Sequence, residues 1–317
     1  MPDTSLRRLV VRYYGGLGNQ IFQYAAGLYF AERASIPFES VRPVDRPEAL
    51  QSKGYARPFQ LDEFTLKGTL RTASGADRFY LATGRRSRAI QNKLRHLSKA
   101  LSIESIEEPS AHRFLPTFLD QVGVRTVYLI GHWQAAGYAE AVSAQLRESL
   151  QLRNQPKQRN LDYERTIRAM KCPVSVHIRV GDYALHRATE SDSGKQVTWV
   201  LRKSYYRKAI ARIRTLFPDS ELVVFSDDPP AAQAMMNGEL ASLWVSGNEP
   251  ANAFEEMWLM SCCKHHVIAN SSFSWWGAWL NPDPDKVVLA PKHWFNTQDS
   301  YYPELFPPRW EVIDNLL

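Results

Sequence analysis

The stretch PVSVHIRVGDY, residues 173–183, runs from six residues of strand character into a charged glycine turn. Side-chain alternation places His177 and Arg179 on one face of the strand end, and the turn at Gly181 brings Asp182 back toward them. Three further apolar runs follow: ELVVFS (221–226), HHVIA (265–269) and KVVLA (286–290). Helical patterns over 203–216, 230–237, 252–263 and 273–280 alternate with them. Strands alternating with helices predict parallel βαβ units. In such sheets ligands bind beyond the carboxyl ends of the strands, where loops lead into helices.

The amino-terminal half is less regular. Residues 9–14 read as a strand, 15–18 as a tight turn and 19–34 as a helix. Between 37 and 126 the pattern is irregular apart from a helix predicted over 88–101. Then TVYLIGHWQ (126–134) supplies a strand, and 139–150 a helix. The polar stretch LRNQPKQRN (152–160), with one proline, reads as a linker or domain edge. It divides the 317 residues into two candidate domains, 1–155 and 156–317.

Hydrophobic residues make up 44% and charged residues 23%, the composition of a globular chain able to bury roughly three quarters of its unfolded surface. No run reaches the roughly 18–20 apolar residues that span a bilayer, and the start lacks a secretory apolar segment, so a cytoplasmic location is expected. Cys172, Cys262 and Cys263 are an odd set whose adjacent pair cannot supply spaced zinc ligands, so reduced, buried thiols are expected. The net charge of +6 is uneven. Arg78, Arg85, Arg86, Arg88, Lys93, Arg95 and Lys99 fall in a stretch without a single acid. That is either a solvated helix face or an electrostatic dock, over 78–99, for an anionic membrane surface or a lipid-diphosphate acceptor, on the inner face of the membrane. No nucleic-acid reader motif accompanies it, and no nucleic-acid partner is expected.

Polar residues of unusual kind sit at four strand ends. In GGLGNQ (15–20), Gly16 and Gly18 would let backbone approach a ligand, with Asn19 beside them; Ile21 stands where a dinucleotide fingerprint needs its third glycine. In HIRVGDY (177–183), Arg179 offers a rigid fork suited to phosphate, although a surface Arg–Asp pair with a core-edge histidine would read the same way. In VVFSDDPP, Ser226, Asp227 and Asp228 precede a helix, and capping accounts for at least one acid. In VIANSSFSWWGAWL, Asn270, Ser271, Ser272 and Phe273 open an aromatic helix whose start can seat a phosphate; a serine cap is the plainer use, and Trp275, Trp276 and Trp279 read as core.

Together GGLGNQIFQYAAG, HIRVGDY, FSDD and LMSCCKHHVIANSSFSWWGAWL resemble the bacterial α-1,2-fucosyltransferases of glycosyltransferase family 11, in the family's order from residue 15 to about 295. The resemblance implies an α/β fold of GT-B type, with two Rossmann-like domains facing across a cleft, residues 1–155 on the acceptor side and 156–317 binding GDP-fucose. It implies inverting, metal-independent transfer of L-fucose from GDP-fucose to a hydroxyl of an acceptor sugar, O-2 of a terminal galactose, in surface polysaccharide or lipopolysaccharide synthesis. By similarity Arg179 holds the β-phosphate of GDP, His177 helps position the nucleotide sugar, Ser271 and Ser272 cradle the diphosphate, and Glu256 bonds the guanine edge. Gly16, Gly18, Asn19, Ser226, Asp227, Asn270 and Phe273 complete the implied donor-binding set. Two departures stand out. Val180 occupies the place of a second arginine in the family motif, leaving Arg202 or Lys203 as substitutes, and Glu256 replaces the usual aspartate.

The chemistry agrees with these residue types. Glycosyl transfer passes through an oxocarbenium-like state while charge builds on the departing diphosphate. Asp283-Pro-Asp285 is a literal Asp-x-Asp, but it lies in the turn-forming NPDPDK, and Arg179 with a helix N-terminus can supply the positive charge instead. Asp182 is the first candidate for the base that takes the acceptor's proton, with orientation of Arg179 as its other reading. Asn19, a neutral amide, bonds donor or acceptor. The partners expected are a nucleotide sugar and a glycan acceptor, including lipid-linked ones. A catalytically silent nucleotide-sugar or glycan-binding protein of the same fold is the alternative, encouraged by Val180.

Overall fold

The computed structural model describes residues 6–42, 58–82, 89–90, 93–120, 122–189, 194, 196–236 and 238–316. The chain divides into two compact units, Met1–Arg153 and Asn154–Leu317. Each is built on its own parallel sheet, as the α/β reading requires.

In the first unit the elements run β1 (Arg8–Val11), α1 (Leu17–Arg33), β2 (Phe38–Arg42), β3 (Thr69–Thr72), α2 (Gly75–Tyr80), α3 (Arg95–Ala100), β4 (Ile103–Glu107), β5 (Thr126–Ile130), α4 (Ala136–Ala141) and α5 (Ser143–Ser149). The sheet order is β3-β2-β1-β5-β4, with every pairing parallel. Leu17, Ile21, Phe22, Ala25 and Leu28 are buried along α1, and the Tyr24 ring lies 5.4 Å from that of Phe38 in β2. Gly27 sets how closely the helix approaches: a Cβ there would come within 2.5 Å of Val11 and 2.6 Å of Phe38.

The strand expected over 9–14 stops at Val11. Beyond it the Gln23 amide, rather than a neighbouring strand, pairs both the N–H (3.1 Å) and the carbonyl (3.3 Å) of Tyr14. The helix expected over 139–150 is two, broken at Val142, whose backbone leaves helical values. Of the helix expected over 88–101, Arg88 lies outside the described residues, as do Arg85 and Arg86 of the basic stretch.

In the second unit the order is α6 (Gln158–Ala169), β6 (Pro173–Ile178), β7 (Arg187–Thr189), β8 (Gln196–Thr198), α7 (Lys203–Leu216), β9 (Glu221–Ser226), α8 (Pro229–Met235), β10 (Leu243–Val245), α9 (Ala253–Ser261), β11 (His265–Val267), α10 (Ser272–Leu280), β12 (Val288–Pro291) and β13 (Glu311–Ile313). The main sheet runs β10-β9-β6-β11-β12-β13, all parallel, and β7 and β8 form a separate antiparallel pair. Numbered within the unit this is the doubly wound order 3-2-1-4-5-6, whose direction reverses between β6 and β11. Both faces are covered. Leu222 and Val224 of β9 pack in one core with Val174, Val176, Tyr205 and Ile210, while Val223 and Phe225 pack in another with Leu259 and Met260.

Within 152–160, read as a linker or domain edge, the boundary between the units falls at Arg153 and Asn154, and both ends of the stretch are anchored. Leu152 and Arg153 pair with Phe64 and Glu63 in the first unit. Asn160 is fully buried, donating to Glu255 (2.7 Å) and Asn248 (2.9 Å). A polar side chain that is fully bonded can be core, which composition does not reveal. The three cysteines are free, Cys172 and Cys263 buried and Cys262 half-buried. Among the described residues no helix is long and apolar enough to cross a membrane.

Asp77 is a heavily bonded charge of the first unit. Fully buried, it accepts from Arg71 at 2.6 and 3.0 Å, from Ser74 N–H and hydroxyl at 2.8 and 2.6 Å, and from the Tyr128 hydroxyl at 3.1 Å. Burial alone would raise its pKa, but the bonds from Arg71 and Ser74 prevail and hold the carboxyl well below the usual range. Asp77→Asn should therefore destabilise the fold by roughly 2–3 kcal/mol, the low side for a buried pair because Arg71 is 26% exposed; chemical denaturation is the check.

Candidate active site

At the reversal point of the second unit, the turn after β6 faces the loop between β11 and α10. His177, the penultimate residue of β6, lies on the face opposite Val174 and Val176. It is 4% exposed, its ring 5.7 Å from that of Phe273. Burial first, then Arg179, pushes its imidazole down to about 3, so the ring is neutral near pH 7. Its Nδ1 is buried without a protein partner.

Two carboxylates share Arg179. One guanidinium nitrogen pairs with Asp182, and the other reaches Asp227 at 2.9 Å. Asp227 also accepts the Val180 N–H at 3.0 Å, which ties the turn to the end of β9. Gly181 is required for this approach, because a Cβ there would collide with the Asp227 carboxylate. The guanidinium also lies over the Tyr183 ring, 5.4 Å from its centre. Val180 itself packs in the core, 8% exposed. Arg202, a proposed substitute for the family's second arginine, donates to the Leu316 carbonyl instead.

The β11–α10 loop is equally braced. The Asn270 amide donates to the carbonyls of Trp199 and Trp294, both at 2.8 Å, and its own carbonyl accepts from the Tyr183 hydroxyl at 3.1 Å. Its Oδ1 is buried without a protein partner. Ser271 caps α10 by accepting the Phe273 N–H at 3.3 Å, and Ser272 opens the helix. The positive end of the helix dipole thus lies beside the β6 turn.

Glu256 enters from the first turn of α9. Burial, together with the charge of Asp227, pushes its carboxyl up to about 7, against the pull of Asn248 and Arg179. Its neighbour Glu255 has a structural use: buried, it accepts from Lys157 N–H at 2.8 Å and from Asn160. Ser226 accepts the Asp228 N–H, and Asp228 caps α8 through Ala231 N–H, so the acid assigned to capping is Asp228.

His177, Arg179, Asp182, Ser226, Asp227, Glu256, Asn270, Ser271, Ser272 and Phe273 therefore gather at one end of one sheet. Gly16, Gly18 and Asn19 belong to the first unit, at the equivalent reversal between β1 and β5. There Gln134, after β5, donates to Asn19 at 2.7 Å. Gln20 holds the Gly15 and Pro58 carbonyls, both at 2.9 Å. Gly15 has φ +77, and a Cβ would come within 2.6 Å of Asn19. Sequence reasoning assigned no role to Tyr183, Asn248 or Gln134. Tyr183 was legible in HIRVGDY; Asn248 and Gln134 stand in loops without periodic pattern. Asp283 accepts Asp285 N–H at 2.8 Å within its own turn, and among the described residues no three His, Cys, Asp or Glu side chains cluster as metal ligands.

The profile of the family described as Glycosyl transferase family 11 matches residues 8–314. The chain belongs to glycosyltransferase family 11. This family 11 enzyme is 30% identical to the alpha-1,2-colitosyltransferase of Escherichia coli, over 96% of this chain and 99% of that protein. It is 29% identical to the O-antigen biosynthesis glycosyltransferase WbnK of Escherichia coli, over 89% and 93%. The structure of Arabidopsis thaliana FUT1 in complex with GDP superposes with a TM-score of 0.52 at 14% identity, covering 96% of this chain and 76% of that one. That likeness bears on the fold alone, which is GT-B, two Rossmann-like units in one chain.

Two measurements probe the site without substrate. Gly181→Ala should displace Asp227 from Val180 N–H and Arg179, costing about 1–3 kcal/mol in unfolding free energy, as overpacking does. Glu256 keeps its proton in the fold up to about pH 7 but releases it near 4.5 when unfolded. The folded state then binds more protons across that window, so stability should fall as pH rises from about 4.5 to 7. Glu256→Gln should flatten this part of the Tm–pH curve.

Proposed function

We propose that this family 11 glycosyltransferase moves L-fucose from GDP-fucose, with inversion, to O-2 of a terminal galactose on a surface-polysaccharide or lipopolysaccharide precursor. The observation that carries the reading is Arg179, pre-oriented by Asp182 and Asp227 beside the start of α10. A guanidinium already held in place has lost its rotamer freedom before substrate arrives, and its remaining N–H donors suit the β-phosphate. Ser271 and Ser272 extend that cradle, and the charge developing on the departing diphosphate is met by Arg179 and the helix dipole without a metal ion.

Neutral His177 positions the nucleotide sugar by hydrogen bonding rather than by carrying a proton. Phe273 packs beside it, and Asn270 braces the loop. Glu256, once ionised, accepts from the guanine edge. Ser226 and Asp227 complete the donor side in this unit; Gly16, Gly18 and Asn19 form a candidate ligand-binding turn in the first unit. The ion pair with Arg179 favours the orienting reading of Asp182 over that of free base. The O-antigen role in the name of one relative supports a lipid-linked glycan acceptor.

A second donor is favoured by the colitosyltransferase at 30% identity. Colitose is fucose lacking one hydroxyl, and a site that bonds a hydroxyl rejects the analogue without it far better than the reverse. The test is product formation from GDP-fucose and from GDP-colitose with galactose-terminated acceptors, in EDTA, for the natural chain and Arg179→Ala. Transfer should survive EDTA, and Arg179→Ala should lower kcat/KM by about 10²–10³, with Arg179→Lys recovering part. Transfer that needs added metal, or that ignores Arg179→Ala, would refute the mechanism. The ratio of kcat/KM for the two donors decides between them, and GDP binding without turnover would point to the silent binder.

A further inference from the structure

Single exposed leucines are ordinary on protein surfaces; a row of them is not. Of the eight large apolar side chains most exposed among the described residues, four occupy one short segment of the first unit: Ile90 (51%), Leu94 (43%), Leu97 (55%) and Leu101 (56%). Their spacing of four, three and four residues is that of one helix face. The backbone agrees, since Leu94 N–H donates to Ile90 O at 3.0 Å, Ser98 N–H to Leu94 O at 3.1 Å, and Leu101 N–H to Leu97 O at 2.9 Å. The segment is attached to the unit through half-buried Ser98, whose hydroxyl meets that of Tyr80 at 3.1 Å. The apolar row lies on solvent, with exposed Lys93 adjacent to it in sequence.

This row stands inside the acid-free stretch that carries seven Lys and Arg between Arg78 and Ile103. The sequence showed the charge alone; the exposure of the apolar row is what the structure adds. An apolar helix face in a strongly basic segment suits a surface that is apolar beneath and anionic on top, which is the interface of a bilayer containing acidic lipids. We propose that Ile90, Leu94, Leu97 and Leu101 form the membrane-docking face of this enzyme, inserting between headgroups while the net positive charge of the stretch draws the segment to lipid phosphates. The inference concerns binding alone and does not depend on the identity of the donor or the acceptor sugar.

The full chain, without substrates, is floated with vesicles of phosphatidylcholine and phosphatidylglycerol in equal parts, and with vesicles of phosphatidylcholine only. The natural chain should float with the anionic vesicles, lose most of that binding in high salt and ignore the neutral ones. Leu94→Ser/Leu97→Ser should weaken partitioning by at least about tenfold per leucine. Leu185→Ser/Leu240→Ser, which removes two still more exposed leucines elsewhere, should leave it unchanged. Lys93→Glu should weaken it at low salt and matter less at high salt. An unchanged thermal midpoint would show that these exposed positions are not needed for folding. Binding that survives Leu94→Ser/Leu97→Ser, or that is equal on neutral vesicles, would overturn the proposal. So would concentration-dependent self-association abolished by that variant without vesicle binding, which would make a second copy of the chain the occupant.

Discussion

The pairing of β6 with β9 on one side and β11 on the other is the constraint on which the rest of the second unit depends. The chain leaves β6 to build the sheet outward through β9 and β10, then returns to build it the other way through β11, β12 and β13. No crossover helix covers the carboxyl end of the sheet where those directions part. The β6 turn and the start of α10 must therefore face each other there, and each is fastened by bonds to other strands. Asp227 reaches from β9 to the Val180 N–H, and Tyr183 reaches from the turn to the Asn270 carbonyl.

Charge is handled in the same way. Two carboxylates hold one guanidinium, the His177 imidazole stays neutral because burial and Arg179 disfavour its cation, and the Glu256 carboxyl is pushed up to about 7 because burial and Asp227 disfavour its anion. A site with fixed donors and few loose charges can meet a diphosphate without much rearrangement, which is the condition for electrostatic stabilisation of a leaving group. The first unit carries a plainer version of this design. Side-chain amides do the fastening there, with Gln20, Gln23 and Gln134 bonding the loops after β1 and β5, and its ionic network around Asp77 is structural.

Much of this was legible before any coordinates. The long apolar strands 173–178 and 221–226, the helix over 203–216 and the parallel βαβ reading follow from periodicity, because strands buried on both faces must be apolar throughout. The four polar strand ends were legible for the same reason, since polar residues stand out against such runs. The short strands β2, β3, β4, β10 and β13 were not, being three to five residues long and partly exposed. The burial of Asn160 was not legible either, because its bonds come from residues 88 and 95 positions away.

The sequence by itself determined the family, the alternation of strands and helices, and the residue types available for binding a phosphate, because these depend on local pattern and chemical identity. Only the tertiary structure decided the strand order, the sharing of Arg179 between Asp182 and Asp227, the neutrality of His177, the raised pKa of Glu256, and the exposure of the apolar row near Leu94. Each of those depends on which distant segment lies alongside, and on how much water remains between them. Burial and partner distance set charge state and exposure, and neither is written in the order of residues along the chain.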